Sequence, residues 1–336
     1  MRRLVTPGRL LALGLVVLAV VLALVVAPSS DYIFLPDRAH PVAPLVTVAG
    51  GHDPARGGIY FVDVVVRKAT LLERLFGGLH HGADLYPASA INPPGVGDAQ
   101  RRRIDLQDMR LSQQIAAAVA LKAAGLKVTL RSTGVLVSEV EAGTPAVGKL
   151  EPDDVITNID GTRVRSPTDL KTVMTKHSIG DVVHFTVTRG RSTLEVAIKT
   201  VASTDSGPRR PVVGFLPATA LAVHLPISVR IDAGNVGGPS AGLAFALQVY
   251  EEEGHDIVRG NRIAATGEIF ADGSVHPIGG IKQKTYGARA AGVDAFLVPA
   301  GENARDARKY AGGLRIIPVE TFPQALRALA TLPTSG

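Results

Sequence analysis

The sequence predicts an α/β (α+β) domain, a small mostly-β domain joined to it, and one transmembrane helix ahead of both. Three observations predict this. An uncharged apolar run lies near the start, from Leu10 to Ala27. A stretch of about 70 residues, Ser132 to Val201, reads as short strands around one helix. The segments on either side of it alternate strand-like and helix-like patterns.

The apolar run follows Arg2, Arg3 and Arg9 and ends before Pro28, Ser29 and Ser30. Eighteen such residues suffice on paper for a hydrocarbon core, and the basic flank would keep the N-terminus inside. A cleaved signal peptide is the competing reading, although the run is long for one. The expectation is a single-pass protein of a bacterial cell membrane, with residues 1–9 cytoplasmic, 10–27 transmembrane and 28–45 a proline-rich linker. Its remaining domains would lie outside the cytoplasm.

Composition narrows the function. Hydrophobic residues make up 46% of the 336 residues, enough for packed cores. Aromatics are only 4% and Trp is absent, so base stacking has little to work with and no nucleic-acid partner is expected. The absence of Cys excludes disulfides, thiolate catalysis and Cys-ligated zinc.

Residues 46–126 read as the N-terminal part of the α/β domain. Ile59 to Arg67 (IYFVDVVVR) is a β-branched run and is expected to be one buried strand. The stretch 77–104 is rich in Gly and Pro and reads as a loop. Asp105 to Ala124 has helical spacing and stops at Gly125. His80, His81 and Asp84 do not make a metal site, because the Gly-rich stretch that carries them fixes no ligand spacing.

Residues 127–202 form the smaller domain. GVLVSEV is a strand, and DDVITNIDGTRV is a strand pair about Asp160-Gly161. Ser166, Pro167 and Asp169 are start chemistry for a helix. VVHFTVTR and TLEVAIKT flank a turn at Gly190. This order resembles a PDZ domain of the type found in bacterial secreted proteases. The resemblance implies that Thr133, Gly134, Val135 and Leu136 receive a peptide C-terminus, with an added strand pairing alongside.

Residues 210–333 carry the chemistry. ISVRI runs into DAGNVGGPSAG, after which Ser240 to Glu253 reads as one helix. Ser240 therefore stands at the positive end of a helix dipole beside Gly238, where backbone N–H groups face a developing oxyanion. A serine there is also the commonest kind of helix cap. Farther on, TGEIFADGSVHPIGGIKQKTYGARAAGV joins GGPSAG in resembling the proteolytic domain of the Lon family, a peptidase fold with a Ser–Lys dyad. The resemblance implies Ser240 as nucleophile, Lys284 as base, and Thr266 and Glu268 as residues lining the site. Independently, Ile281, Lys284, Ala288 and Ala291 share one helical face, which buries Lys284 and leaves Lys282 in water. Burial is what lowers a lysine pKa far enough for it to act as a base.

Where that family commonly has an Asp three residues before the nucleophile, this chain has Gly237. It also has no G-x-x-x-x-G-K-[ST] run to cradle a nucleotide. The expectation is an ATP-independent serine endopeptidase that needs no cofactor and no metal and acts on unfolded or flexible polypeptides. A homo-oligomer, a six-membered ring, is implied by the resemblance alone. The alternative is an inactive PDZ scaffold on a degenerate peptidase fold. GGPSAG also fits the G-x-S-x-G elbow, but with the smaller domain ahead of it too little chain remains for an α/β-hydrolase. Glu251, Glu252 and Glu253 read as a solvated helix end.

Overall fold

The structure, a computed structural model, describes residues 7–52, 56–92, 97–203 and 209–335. The first helix, α1 (Pro7–Val26), exposes its leucines and valines except the half-buried Leu24. Among the described residues no helix is long and apolar enough to cross a membrane, which corrects the transmembrane helix expected over 10–27. Arg9 falls in the first turn of that helix and the helix stops at Val26, so its uncharged part is about 17 residues, the bottom of the range for a span. The chain then enters β1 (Pro28–Pro36), so the expected linker is partly sheet. Next come β2 (His40–Pro41), β3 (Val46–Val48), β4 (Gly58–Phe61), β5 (Val64–Thr70), α2 (Leu71–Leu75), β6 (Asp84–Pro87), α3 (Ala88–Ile91) and α4 (Asp98–Ala123).

Two differences from the sequence expectations matter here. The run 59–67 is not one strand. It breaks at Val62-Asp63, where β4 leaves a five-stranded sheet and β5 enters a three-stranded one of order β5-β1-β6. The stretch 77–104 is also not all loop, because α4 starts seven residues earlier than Asp105, at Asp98. Helix α2 is fixed by a capping box, Thr70 with Glu73, and Arg67 grips the Glu73 carboxylate at 2.6 and 2.9 Å.

The smaller unit comprises β7 (Thr129–Val140), β8 (Val155–Ile159), β9 (Thr162–Arg163), α5 (Pro167–Met174), β10 (Val182–Arg189), β11 (Ser192–Lys199), β12 (Val201–Ala202), β13 (Pro211–Val212) and β14 (Phe215–His224). Its sheet runs β11-β10-β8-β7-β14, with β9 paired to β8. The β8–β9 turn holds Asp160 and Gly161 at φ 47° and 76°, the paired positive φ of a tight hairpin. Ser166 caps α5 by accepting the Asp169 N–H, and Pro167 opens the helix. A core of its own, including Val135, Ile156, Ile159, Phe185 and Ile198, lies within residues 135–213.

The rest of the chain adds β15 (Val229–Ile231), α6 (Gly242–Glu252), β16 (Arg262–Ala265), β17 (Glu268–Ile269), β18 (Val275–His276), α7 (Ile281–Ala291), β19 (Ala295–Pro299), α8 (Glu302–Tyr310), β20 (Arg315–Val319) and α9 (Phe322–Ala330). The five-stranded sheet runs β2-β4-β16-β19-β20 and is parallel from β4 to β20. Alternate residues serve opposite faces. Ile59, Ile263 and Leu297 pack with α4, α6 and α9, while Ala264, Phe296 and Val298 pack with α7 and α8. Residues 42–61 thus share one core with residues 233–332.

Candidate active site

Ser240 sits in a short 3-10 turn, Pro239–Ala241, ahead of α6. Its side chain does not cap that helix: Ala241 is the cap residue and makes no side-chain cap bond. The hydroxyl points elsewhere. Ser240 Oγ lies 2.6 Å from Lys284 Nζ, a hydrogen bond across 44 residues of sequence.

Three elements bring the pair together. The turn after β15 carries Ser240, α7 carries Lys284, and Thr266 follows the C-terminal end of β16. Catalytic groups collect at that end of parallel strands because the loops there converge. The Thr266 hydroxyl donates to the Ser240 carbonyl at 3.1 Å and accepts from Lys284 Nζ at 3.1 Å. Gly267 N–H donates to the same carbonyl at 2.8 Å, so the Ser240 turn is clamped from one side. From the other, Ser112 on α4 donates its hydroxyl to the Pro239 carbonyl at 3.0 Å.

Lys284 is only 3% exposed and Thr266 is fully buried. Burial pushes the lysine pKa down to about 8, against the opposing pull of the Asp63 charge. Lys282 points away. It is not left in water as expected, because it pairs with Asp84 at 2.7 Å.

Ser240 and Lys284 open onto a cleft of about 890 Å³. Glu268 lines it, with burial holding its carboxyl above the usual range. Gly238 also lines it, but its N–H donates to the Asp105 carbonyl at 2.7 Å and is thereby engaged. Asp105 fills the space beside Gly237, since a Cβ there would fall 2.8 Å from Asp105 Cβ. Arg102 bonds the Asn235 carbonyl. Asp108, one helical turn along α4, is pushed up to about 6 by burial and by the charges of Asp105 and Glu268. Sequence reasoning missed these α4 residues and Asp63. The available signals were Ser112, a polar residue on an otherwise apolar helix face, and Asp63, a charge inside a β-branched run.

The other polar candidates do not converge. His80 bonds Glu73 at 2.7 Å, while Asp84 takes Lys282 and Gln283. Glu251 and Glu252 are buried, unlike the solvated end expected of them. Glu251 accepts the Ile257 and Val258 N–H groups at 2.8 and 3.1 Å, and Glu252 accepts Val48 N–H at 3.0 Å.

Thr133, Gly134, Val135 and Leu136 lie in the middle of β7. Gly134, Val135 and Leu136 pair with Ala220, Thr219 and Ala218 of β14, and Val135 and Leu136 pair with β8 on the other side. Both edges are therefore occupied. Gly134 is required there because a Cβ would meet the Ile156 carbonyl oxygen at 2.4 Å. A groove of about 460 Å³ lies instead between α5 and the start of β14, walled by Leu170, Met174, Phe215 and Leu216. The far edge of β14 pairs with no strand among the described residues.

Two families of known domains match parts of the chain. The Lon protease (S16) C-terminal proteolytic domain family matches residues 173–331, and the PDZ domain family matches 123–200. The two matches overlap over 173–200, a stretch that packs within the smaller unit. Lon protease 2 of Bacillus subtilis is 35% identical over 111 residues, 33% of this chain and 19% of that protein. The Lon protease of Chloroflexus aggregans is 35% identical over 126 residues, 36% of this chain and 15% of that protein. The match thus spans less than a fifth of either relative. The PDZ domain of an SdrC-like protein from Listeria innocua is 31% identical, covering 25% of this chain and 92% of that structure at a TM-score of 0.24. The chain carries a Lon protease C-terminal proteolytic domain and a PDZ domain.

Proposed function

We propose that this protein is a serine endopeptidase working through a Ser240–Lys284 dyad on unfolded or flexible polypeptides, without ATP. The observation that carries the reading is the buried Lys284 Nζ, 2.6 Å from Ser240 Oγ and 3.1 Å from Thr266 Oγ1. The neutral amine takes the hydroxyl proton as Oγ attacks the scissile carbonyl carbon. Collapse of the tetrahedral species breaks the C–N bond, and the Lys284 ammonium returns the proton to the departing amine. Water, deprotonated by the same amine, then hydrolyses the Ser240 ester.

An open cleft of this size admits an extended chain, and this sequence holds no nucleotide-cradling run. The test is cleavage of an unstructured protein, with and without ATP, by the parent, Ser240→Ala and Lys284→Ala. The expected result is cleavage by the parent alone at an ATP-independent rate. Cleavage by either variant at the parental rate, or none by the parent, sinks the dyad.

Action outside the cytoplasm belongs to the same proposal and is supported by the basic residues ahead of the apolar N-terminal run. A membrane-impermeant amine label applied to intact cells should modify the protein; failure to do so contradicts it.

Within the PDZ domain, the proposed site for peptide C-termini is the α5–β14 groove, with the peptide adding a strand to the free edge of β14. Lys171 on its rim supplies a positive charge for the carboxylate. Peptides with a free C-terminus should bind and their amidated forms should not. Leu170→Asp should abolish binding, and unchanged binding by that variant rejects the groove.

A further inference from the structure

The break between β4 and β5 puts one carboxylate at the seam of the two sheets. Asp63 lies between Val62, which packs in the core under α7, and Val64, which lies against Gly280. Gly280 stands at the N-cap of α7, and Lys284 and Gly287 follow on one face of the helix, three residues apart. Gly287 is held so close that a Cβ there would meet the Asp37 carbonyl oxygen at 1.9 Å and a Val62 methyl at 3.0 Å. Gly280 and Gly287 thus lie against the residues on either side of Asp63. Lys284, between those two glycines in sequence, lines the same cleft as Asp63.

The Asp63 carboxylate is under-used in its surroundings. Its Oδ1 is shut from solvent and has no hydrogen-bond partner among the described residues. His40 Nε2 stands 3.8 Å from it and is held at 3.3 Å by Asp37. The charged groups that act on Asp63 are therefore Asp37 and His40 from the segment before β4, and Lys284 from α7. Burial and Asp37 raise its pKa, while His40 and Lys284 oppose them.

We propose that Asp63 is a positioning residue of the peptidase site, standing as counter-charge to the Lys284 ammonium formed when the lysine takes the Ser240 proton. The inference rests on the dyad reading. It follows from chemistry that the dyad alone leaves open: a lysine buried enough to be neutral must still carry a positive charge in the transition state. A carboxylate opposite it stabilises that charge, at the cost of holding the resting amine pKa higher than burial alone would.

The two effects have opposite signatures, which makes them separable. Asp63→Asn should move the acid limb of kcat/KM to lower pH by about one unit, because Lys284 loses a neighbouring negative charge. It should also lower the high-pH plateau by roughly tenfold or more, because the ammonium loses its counter-charge. Asp63→Glu, which keeps the charge, should hold the limb near its parental position. A merely structural role would lower the plateau without moving the limb. An unmoved limb in folded Asp63→Asn overturns the proposal. Should Asp63→Asn fail to fold, a limb displaced downward in Asp63→Glu overturns it instead. Activity in Lys284→Ala would reject the dyad itself, an outcome distinct from a silent Asp63 with Lys284 still required.

Discussion

Ser240 is ambiguous as a residue, and its surroundings decide between its readings. A serine at the head of a helix ordinarily spends its hydroxyl on backbone N–H groups. Here the 3-10 turn displaces it from the cap position, and the hydroxyl is free to meet Lys284. Thr266 joins the two, bonding the lysine amine and the serine carbonyl at once. Thr266→Val removes both bonds and keeps the shape. It should lower kcat by roughly tenfold to a hundredfold, with less effect on KM, in steady-state assays of an unfolded substrate. A fall in KM-linked binding alone would place Thr266 in substrate recognition. With the Lys284 pKa at about 8, the neutral amine of the proposed dyad accumulates as pH rises, so kcat/KM should climb through that pH, and a profile flat from neutral to high pH would contradict it.

At the scale of elements, the sequence was most legible where local chemistry alone decides. The α5 start, the Asp160-Gly161 turn and the apolar stripe of α7 follow from caps, turn residues and spacing. It was least legible where distant segments decide. The run 59–67 looks like one strand because its residues all favour β structure, yet two sheets claim its halves. The stretch Thr133 to Leu136 reads as a loop that receives a carboxylate until β14, some 80 residues on, pairs with it as strand. The acidic end of α6 looks solvated until the loop of Ile257 and Val258 folds over Glu251.

That last burial has a measurable consequence. The Glu251 pKa rises to about 7, chiefly by burial. A carboxyl raised in the folded state contributes its stability below its unfolded pKa, about 4.5, and loses it as pH rises through about 7. Glu251→Gln should therefore gain on the parent between pH 5 and pH 8, by on the order of 2 kcal/mol after discounting for solvent screening. Equal denaturation midpoints at both pH values would show that Glu251 ionises freely in the fold.

Over the whole molecule, the peptidase core is assembled from segments far apart in sequence. β4 fills the place between β2 and β16, and α4 lies against α6, although both precede the PDZ domain. A fragment of residues 210–336 would expose the β16 edge and the α4-facing surface of α6. It should show no cooperative thermal transition, and a sharp one would mean that the C-terminal segment folds unaided. The smaller unit closes its own core over residues 135–213.

The dyad itself is tested most directly by catching the acyl-enzyme. The protein is quenched during turnover of an activated peptide ester, and its mass and peptide map are recorded. One acyl group on Ser240 in the parent, absent from Ser240→Ala and Lys284→Ala, is the expected result. An acyl group on another residue, or undiminished acylation of Ser240 in Lys284→Ala, would contradict a lysine-activated serine.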